Sequence, residues 1–209
     1  MTPAPDLKFP TLHYEQELWS GGWSRIAGID EAGRGAWAGP VCAAAVVLPA
    51  NAGLLRALAG VRDSKQMTPP GREAWAPRIR QAALACGVGF ASAGEIDTLG
   101  IVPATKLAAA RALAGLAPDA LLADFCLLFP ELELPQTALV KGDCLSLSVA
   151  AASVLAKTAR DAFLRRLDEE YPGYGFARHK GYGTQHHREA IARLGLCPIH
   201  RKSFRIVRE

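Results

Sequence analysis

Two adjacent carboxylates are the residues whose types and spacing most directly suggest chemistry. Asp30 and Glu31 follow an apolar run, residues 26–29, whose β-branched and small residues are typical of a buried strand. Adjacent acids at the end of a buried strand repel each other and lose hydration, so they need a positive partner. A divalent cation is such a partner, because hard cations take oxygen ligands. The pair is therefore one candidate for a metal site.

A glycine-framed arginine follows the two acids directly, as Gly33, Arg34 and Gly35. Successive strand residues point to opposite faces, so both acids could serve one site only if the chain bends there. The glycines allow such a bend. The competing interpretation is a surface loop in which both acids are solvated, and this motif alone leaves the two interpretations open.

Composition limits the class of protein. A chain of 209 residues, 50% hydrophobic and 21% charged, is typical of one globular domain with a sizeable core. No apolar run approaches the roughly 20 residues of a membrane-spanning helix. The mixed polar N-terminus does not have the pattern of a secretory signal, so we expect a cytoplasmic protein that makes no membrane contact. The five cysteines include no CxxC pair, which disfavours a zinc site or a disulfide framework.

Charge is distributed unevenly along the chain. Residues 156–209 hold 12 Lys and Arg against 6 Asp and Glu, and they also hold four of the five histidines. A basic C-terminal quarter beside an acidic site is a plausible arrangement for binding a polyanion while holding metal. The same charge would also suit solvated helices, so it is weak evidence alone.

The elements predict an α/β domain with a mixed sheet. Strands are predicted where short apolar runs are bounded by turn residues: 25–30, 41–48, 87–94, 119–128 and 137–141. Helices are predicted at 14–20, 54–58, 69–85, 103–114, 147–170 and 185–194. Thr68, Ser146 or Ser148, and Thr184 are the expected N-caps. The first two strands are expected to be antiparallel.

Asp124 lies inside the apolar run DALLADFCLL at residues 119–128. A buried carboxylate without a partner is costly, so its position suggests a function. The alternative is that Asp124 sits in a turn at a frayed strand end.

Several segments together resemble one known family. They are IAGIDEAGRGAWAGPV at 26–41, DSK at 63–65, EID at 95–97, ATKLAAARAL at 104–113, KGDCLSLSVAAASVLAKTARD at 141–161, HKGYGT at 179–184 and LCPIHRKSF at 196–204. In type and order they resemble ribonuclease HII, the type 2 ribonuclease H, over nearly all of the chain after residue 25. The resemblance implies a ribonuclease H-like fold, a mixed sheet flanked by helices with a C-terminal helical extension.

The resemblance also implies a catalytic, metal-binding site. It assigns four carboxylates to this site: Asp30, Glu31, Asp124 and Asp143. The cofactor would be Mn²⁺ or Mg²⁺, with two ions serving one phosphodiester. Around Asp124 the chain reads ADF where the family often has an aliphatic residue before the Asp and Gly or Ala after it. Asp124 is therefore the ligand most in need of checking.

Substrate-binding residues follow from the same resemblance. The backbone of Gly33, Arg34 and Gly35 would approach the 2′-hydroxyl of a ribonucleotide, and Tyr182 would stack on the sugar of the next deoxynucleotide. Lys65 and the basic stretch 178–188 would contact phosphates, an expectation that rests more on charge and position than on a matched role.

The implied activity is endonucleolytic. The partners would be RNA–DNA hybrids, whose RNA strand is hydrolysed, and DNA duplexes incised 5′ of an embedded ribonucleotide, leaving a 3′-hydroxyl and a 5′-phosphate. The implied role is ribonucleotide excision and RNA primer removal. Two other classes remain open: another two-metal nuclease on the same fold, and a hybrid-binding module without catalysis.

The expected organisation is a leader, residues 1–24, and a catalytic domain, residues 25–209, acting as a monomer. Residues 162–209 would form a basic helical and loop part that contacts nucleic acid. His186 and His187 diverge by about 100° on a helix, so they cannot easily serve one ion. We expect them to be solvated or to face phosphate, whereas the roles of His179 and His200 stay open.

Overall fold

A computed structural model describes residues 9–123 and 127–206. These residues form a five-stranded sheet in the order β3-β2-β1-β4-β5. The strands are β1 (Ile26–Ala32), β2 (Val41–Val47), β3 (Ala85–Ala91), β4 (Ala120–Ala123) and β5 (Gln136–Ala138). The first three strands pair antiparallel, whereas β4 is parallel to both β1 and β5. The predicted α/β class, mixed sheet and antiparallel first pair are confirmed.

The helices cover both faces of this sheet. In chain order they are α1 (His13–Ser20), α2 (Leu54–Ala57), α3 (Pro69–Ala82), α4 (Ala93–Leu99), α5 (Ile101–Leu113), α6 (Gly142–Leu145), α7 (Leu147–Glu170), α8 (Phe176–His179) and α9 (Gln185–Leu194). Among the described residues, no helix has the length and apolar character that crossing a membrane requires.

The long helix α7 forms the centre of one core layer. It packs on β1 and β2, with α3 against its outer side, whereas α5 packs on β2 and β3 from the opposite face. A Cβ at Gly28 would lie 2.3 Å from the backbone carbon of Ser148, so this strand position requires glycine. The close approach fixes α7 directly above the end of β1, where Asp30 and Glu31 lie.

The C-terminal extension has an apolar cluster of its own. It is formed by buried residues from the second half of α7, from α8 and α9, and from the segment that follows them, including Leu164, Phe176, Ile191 and Ile206. Ala38, from the loop after β1, also belongs to this cluster. The extension is therefore packed against the loop that carries the glycine-framed arginine.

The structure also corrects several predicted elements. The strand predicted at 119–128 is described as a strand only over β4, and Leu127 and Leu128 are not in a strand. The third strand ends at Ala91, because Ser92 begins the capping box of α4, a helix that we did not predict. Residues 171–184, for which we predicted neither a helix nor a strand, contain α8. Likewise, the short α6 begins at Gly142, where we predicted only the end of a strand.

Candidate active site

A single cleft gathers the predicted site residues that the structure describes. It has a volume of about 430 Å³, and its walls come from the end of β1, the 3₁₀ turn at Ser64–Gln66, α6, α7 and the loop before α9. All eight of these predicted residues line it: Asp30, Glu31, Gly33, Arg34, Gly35, Lys65, Asp143 and Tyr182. Residues more than 150 positions apart in the chain therefore meet in one place.

Asp30 carries the strongest electrostatic signal in the cleft. Burial raises its pKa well above the usual range, and the carboxylates of Glu31 and Asp143 raise that pKa further. A hydrogen bond with the side chain of Ser153 on α7 opposes this shift but does not cancel it. The cations of the protein therefore do not offset the burial of Asp30 and the negative charges beside it.

Glu31 is only partly satisfied by the protein. Arg34 donates from Nη1 to Glu31 Oε1 at 3.2 Å. The other oxygen, Oε2, is buried and has no hydrogen-bond partner among residues 9–123 and 127–206. A buried oxygen of this kind is a group that a bound cation would satisfy.

Asp143 supplies the third carboxylate from the first turn of α6, where it is 9% exposed. Burial raises the pKa of Asp143, the neighbouring Asp63 raises it further, and Lys65 lowers it without reversing the shift. Lys65 Nζ lies 3.7 Å from Asp143 Oδ2. Burial acts to lower the pKa of Lys65, but the surrounding carboxylates, with Asp143 first, outweigh burial and raise it. Lys65 is therefore held as a cation beside the acids.

Asp124, the remaining predicted carboxylate, lies outside the described residues. It follows Ala123 in the chain, and Ala123 pairs with Ile29, the residue before Asp30. Within the described ranges, no three Asp, Glu, His or Cys side chains are grouped closely enough to hold an ion by themselves. The chemistry of the donors nevertheless fits a hard divalent cation, since they are oxygens, one is unsatisfied, and Asp30 has a raised pKa.

Arg201 fixes the glycine-framed loop from inside the protein. Its fully buried guanidinium donates to the carbonyl oxygens of Gly33 at 2.7 Å, Arg34 at 2.7 Å and Gly39 at 3.0 Å. Burial lowers the pKa of Arg201 to about 9, and the nearby charge of Arg160 acts in the same direction. Three carbonyls of one loop are thus turned toward a buried donor.

Arg160, from α7, joins this loop to the loop that carries Tyr182. It is also fully buried, and it donates to the carbonyl oxygens of Pro40 at 2.9 Å, Ala38 at 3.1 Å and Lys180 at 2.9 Å. Burial lowers the pKa of Arg160. The two arginines therefore hold both loops in one arrangement by hydrogen bonds to main-chain oxygens.

Tyr182 forms the far wall of the cleft and is 38% exposed. The Lys157 ammonium lies 5.8 Å and the Arg160 guanidinium 5.6 Å from the centre of its ring. Its carbonyl oxygen is 3.0 Å from Nδ1 of His187. The ring is accessible and its backbone is fixed, as a platform for a sugar would require.

The histidines correct one prediction. His186 is exposed, but His187 is fully buried and is neither solvated nor facing phosphate. Its Nε2 lies 3.1 Å from Nε2 of His200, and its ring stacks on that of His179 with 4.3 Å between the ring centres. These buried rings are hydrogen-bonded into the C-terminal extension, outside the cleft.

Sequence reasoning missed residues that act from beneath the cleft. Arg160, Arg201 and His187 carry polar groups that are buried on main-chain partners, and Ser153 and Asp63 adjust the neighbouring carboxyls. The available signal was their position inside segments already singled out: KGDCLSLSVAAASVLAKTARD at 141–161 for Ser153 and Arg160, LCPIHRKSF at 196–204 for Arg201, DSK at 63–65 for Asp63 and the basic stretch 178–188 for His187. Local pattern did not show that these polar groups would be buried.

Comparison with known proteins agrees with this geometry. The family model described as Ribonuclease HII matches residues 27–207. A ribonuclease HII from Synechococcus sp. (strain JA-3-3Ab) is 55% identical over 201 residues, 96% of this chain and 90% of its own length. The fold is similar to that of ribonuclease HII in its PCNA complex from Archaeoglobus fulgidus, with a TM-score of 0.71, 30% identity, and coverage of 85% of this chain and 92% of that one. It is equally similar to ribonuclease H2 from Pyrococcus horikoshii OT3, with a TM-score of 0.71, 27% identity, and coverage of 87% and 94%.

The family match covers most of the chain, and the identity to a bacterial relative extends over nearly all of it. The mixed sheet and its helices agree with the solved structures of the same family. The chain belongs to the ribonuclease HII family, and it is an endoribonuclease that acts on RNA–DNA hybrids.

Proposed function

We propose that this ribonuclease H incises duplex DNA 5′ of an embedded ribonucleotide, in addition to cutting the RNA strand of hybrids. Each cut would leave a 3′-hydroxyl and a 5′-phosphate, which suits ribonucleotide excision and RNA primer removal. The observation that carries this proposal is the cleft in which three carboxylates, the glycine-framed loop and Tyr182 meet. We also propose that the chain acts as a monomer, and in the cytoplasm.

The ribonuclease H family depends on divalent metal ions. We assign Asp30, Glu31, Asp124 and Asp143 as the residues that would hold Mn²⁺ or Mg²⁺ here. When bound, the ions would supply an activated water and stabilise the leaving 3′-oxygen. The raised pKa of Asp30 and the unsatisfied Oε2 of Glu31 support this assignment, because both are features of a site that requires added positive charge.

The glycine-framed loop would distinguish ribose from deoxyribose. The 2′-hydroxyl is the group that differs between the two sugars, and glycine allows the main chain to approach it closely. Arg201 supports this role, since it binds the carbonyls of Gly33 and Arg34 from the interior and so keeps the loop rigid. A rigid polar surface rejects a sugar without the hydroxyl, because its hydrogen-bonding groups then stay unpaired.

Tyr182 and Lys65 would position the strand on either side of the reacting phosphate. The partly exposed ring of Tyr182 would stack on the sugar of the next deoxynucleotide, and the ammonium of Lys157, which lines the cleft beside the ring, would attract the backbone. Lys65 would contact a phosphate, since its exposed ammonium stands next to Asp143. These contacts depend on the charge of the strand and are expected to weaken as salt rises.

The test is a cleavage assay on a DNA duplex that carries one ribonucleotide, with Mg²⁺, Mn²⁺ or EDTA. The proposal predicts one cut 5′ of the ribonucleotide with either metal, none in EDTA, and none in an all-DNA duplex. Asp124→Asn should lower the rate by more than about 100-fold, because even indirect partners of metal ligands are worth roughly 10- to 100-fold. The matched control is Glu131→Gln, an exposed acid outside the cleft, which should cut at the wild-type rate.

Three outcomes would contradict the proposal or one of its assignments. Equal cutting of the all-DNA duplex would identify a two-metal nuclease that does not read the 2′-hydroxyl. Binding of the duplex with no cutting under any metal would identify a binding module. Wild-type activity of Asp124→Asn would remove that residue from the set of ligands.

A further inference from the structure

Glu15, on the N-terminal helix α1, is a buried acid that the catalytic site does not use directly. Its side chain is 0% exposed, whereas Glu17, two residues later, has a side chain that is 63% exposed and pairs with His13. Residues 9–26 also precede the part of the chain that the family model matches. A fully buried carboxylate in such a segment requires an explanation, because burial without compensation is costly.

Part of the compensation comes from the beginning of α7, which satisfies Oε1, whereas the buried Oε2 has no hydrogen-bond partner among the described residues. Glu15 Oε1 accepts hydrogen bonds from the Ser146 hydroxyl at 2.6 Å, from the Ser148 hydroxyl at 2.7 Å and from the Ser148 backbone N–H at 2.9 Å. Ser146 is itself the N-cap of this 24-residue helix, and its hydroxyl accepts from the backbone N–H of Val149. The positive end of a long helix stabilises a carboxylate at this place. Glu15 is thus a second cap that is supplied by a different helix.

The same segment binds the backbone on both sides of Ser146. The Thr11 N–H donates to the carbonyl of Leu145 at 3.0 Å, and the Leu147 N–H donates to the carbonyl of Thr11 at 2.8 Å. Leu145 is the last residue of α6, the four-residue helix that carries Asp143. The N-terminal segment therefore fixes the junction between α6 and α7, two residues after Asp143.

The position of α7 determines where its own side chains lie in the cleft. Three residues of this helix face the site. Ser153 contacts Asp30 and Lys157 lines the cleft. Arg160 binds the carbonyls of the loop after β1 and of the loop that carries Tyr182. The three residues recur at intervals of three and four residues, so they share one face of α7. A shift or rotation at the beginning of the helix would move all three of them together.

We propose that Glu15 is a positioning residue for the metal site. It fixes the start of α7 and the α6–α7 junction, and so holds Asp143 and the α7 face against Asp30. The inference rests on the proposed metal-binding role of Asp143, and it assigns to the N-terminal segment a part in ion binding rather than in stability alone.

The experiment compares Glu15→Ala and Glu15→Gln with Glu17→Ala, the exposed acid of the same helix. Mn²⁺ binding to each protein without nucleic acid is measured by calorimetry, and the Mn²⁺ concentration for half-maximal cleavage is measured beside the KM for the duplex. Glu15→Ala should weaken Mn²⁺ binding and raise the half-maximal concentration by about tenfold, the scale of outer partners of metal ligands. The KM should stay within about twofold of wild type. Glu15→Gln keeps an acceptor oxygen and should recover most of the affinity, and Glu17→Ala should match wild type.

A purely structural role would give a different result. In that case Glu15→Ala would unfold at a lower temperature, yet its folded fraction would bind Mn²⁺ as tightly as wild type, and the inference would be overturned. If Glu15→Ala does not fold, Ser148→Ala removes one of the three hydrogen bonds and should still weaken Mn²⁺ binding severalfold, and unchanged binding would overturn the inference. Asp143→Asn distinguishes a failure of this inference from a failure of the proposed function. Wild-type Mn²⁺ binding by that variant would contradict the proposed metal-binding role of Asp143 itself.

Discussion

Gly33 occupies a position that admits no side chain. Its φ is +92°, in the region that favours glycine, and a Cβ there would lie 1.9 Å from Nε of Arg160. Arg160 cannot move aside easily, because three main-chain carbonyls hold its guanidinium. Gly33→Ala should therefore lower the free energy of unfolding by about 1–3 kcal/mol and reduce cleavage at the ribonucleotide, as urea melts and the cleavage assay would show.

Gly35 provides the matched control for stability. A Cβ at this position would meet nothing within 4 Å. Gly35→Ala should therefore unfold at the same urea concentration as wild type. If both substitutions had equal effects on stability, the contact between Gly33 and Arg160 would not be the reason that the loop requires glycine.

At the residue scale, the sequence predicts the groups that face the cleft but not the groups that hold them. Asp30, Glu31 and the glycine-framed arginine stand together in the chain, so their chemistry can be read locally. The partners of Arg201 are carbonyls 162–168 residues away, and those of Arg160 are as much as 122 residues away. A carbonyl has no side-chain signature, so a buried arginine of this kind looks like any basic residue in the sequence.

At the element scale, buried histidines join α8, α9 and the C-terminal segment. Burial lowers the pKa of His187 to about 4, the nearby His179 and His200 add to this shift, and its hydrogen bond to Tyr182 only partly opposes it. At pH values above the unfolded pKa of about 6.5, His187 is neutral in both the folded and the unfolded state. Its titration then does not change the free energy of unfolding. Below that pH, His187 is protonated in the unfolded chain but not in the folded one. The free energy of unfolding therefore falls as pH falls from about 6.5 toward 4.

This linkage predicts that His187 alone removes about 2 kcal/mol of stability between pH 7 and pH 5. In wild type the lowered pKa values of His179 and His200 add to this loss, whereas the raised pKa values of Asp30 and Asp143 oppose it, so urea melts of wild type and variant at the two pH values must be compared. His187→Gln should lose less stability over the same range, whereas His186→Gln, a change at its exposed neighbour, should behave as wild type does. Equal losses in wild type and His187→Gln would show that the buried ring is not the source.

Elements with strong local signals were predicted well. Thr68, Ser146 and Thr184 cap α3, α7 and α9 as expected, because a capping side chain bonds only its own first turn. Both bounds of α7 match the prediction. The helix α4 was missed although Ser92 and Glu95 form a capping box, a signal that was present in the sequence. The four-residue helices α6 and α8 were missed because segments of that length are fixed by their surroundings.

At the scale of the whole molecule, the cleft results from the order of the strands. The end of β1 stands at the centre of the sheet, α7 crosses above it, and the C-terminal extension packs against the loop after β1. The sequence indicates which acids belong to the site through a family resemblance, but their convergence depends on long-range packing that periodicity does not contain. The predicted division at residue 24 stays a prediction, and the packing of Glu15 shows that α1 is part of the folded core.

This cleft is where we propose that the divalent ions bind. The most direct measurement is an anomalous difference map from crystals grown with Mn²⁺, which locates the metal without reference to activity. If the ions bind in this cleft, peaks should lie roughly 2 Å from carboxylate oxygens of Asp30, Glu31, Asp124 and Asp143. Peaks elsewhere, with none beside Asp30, would contradict the claim and require a different active site.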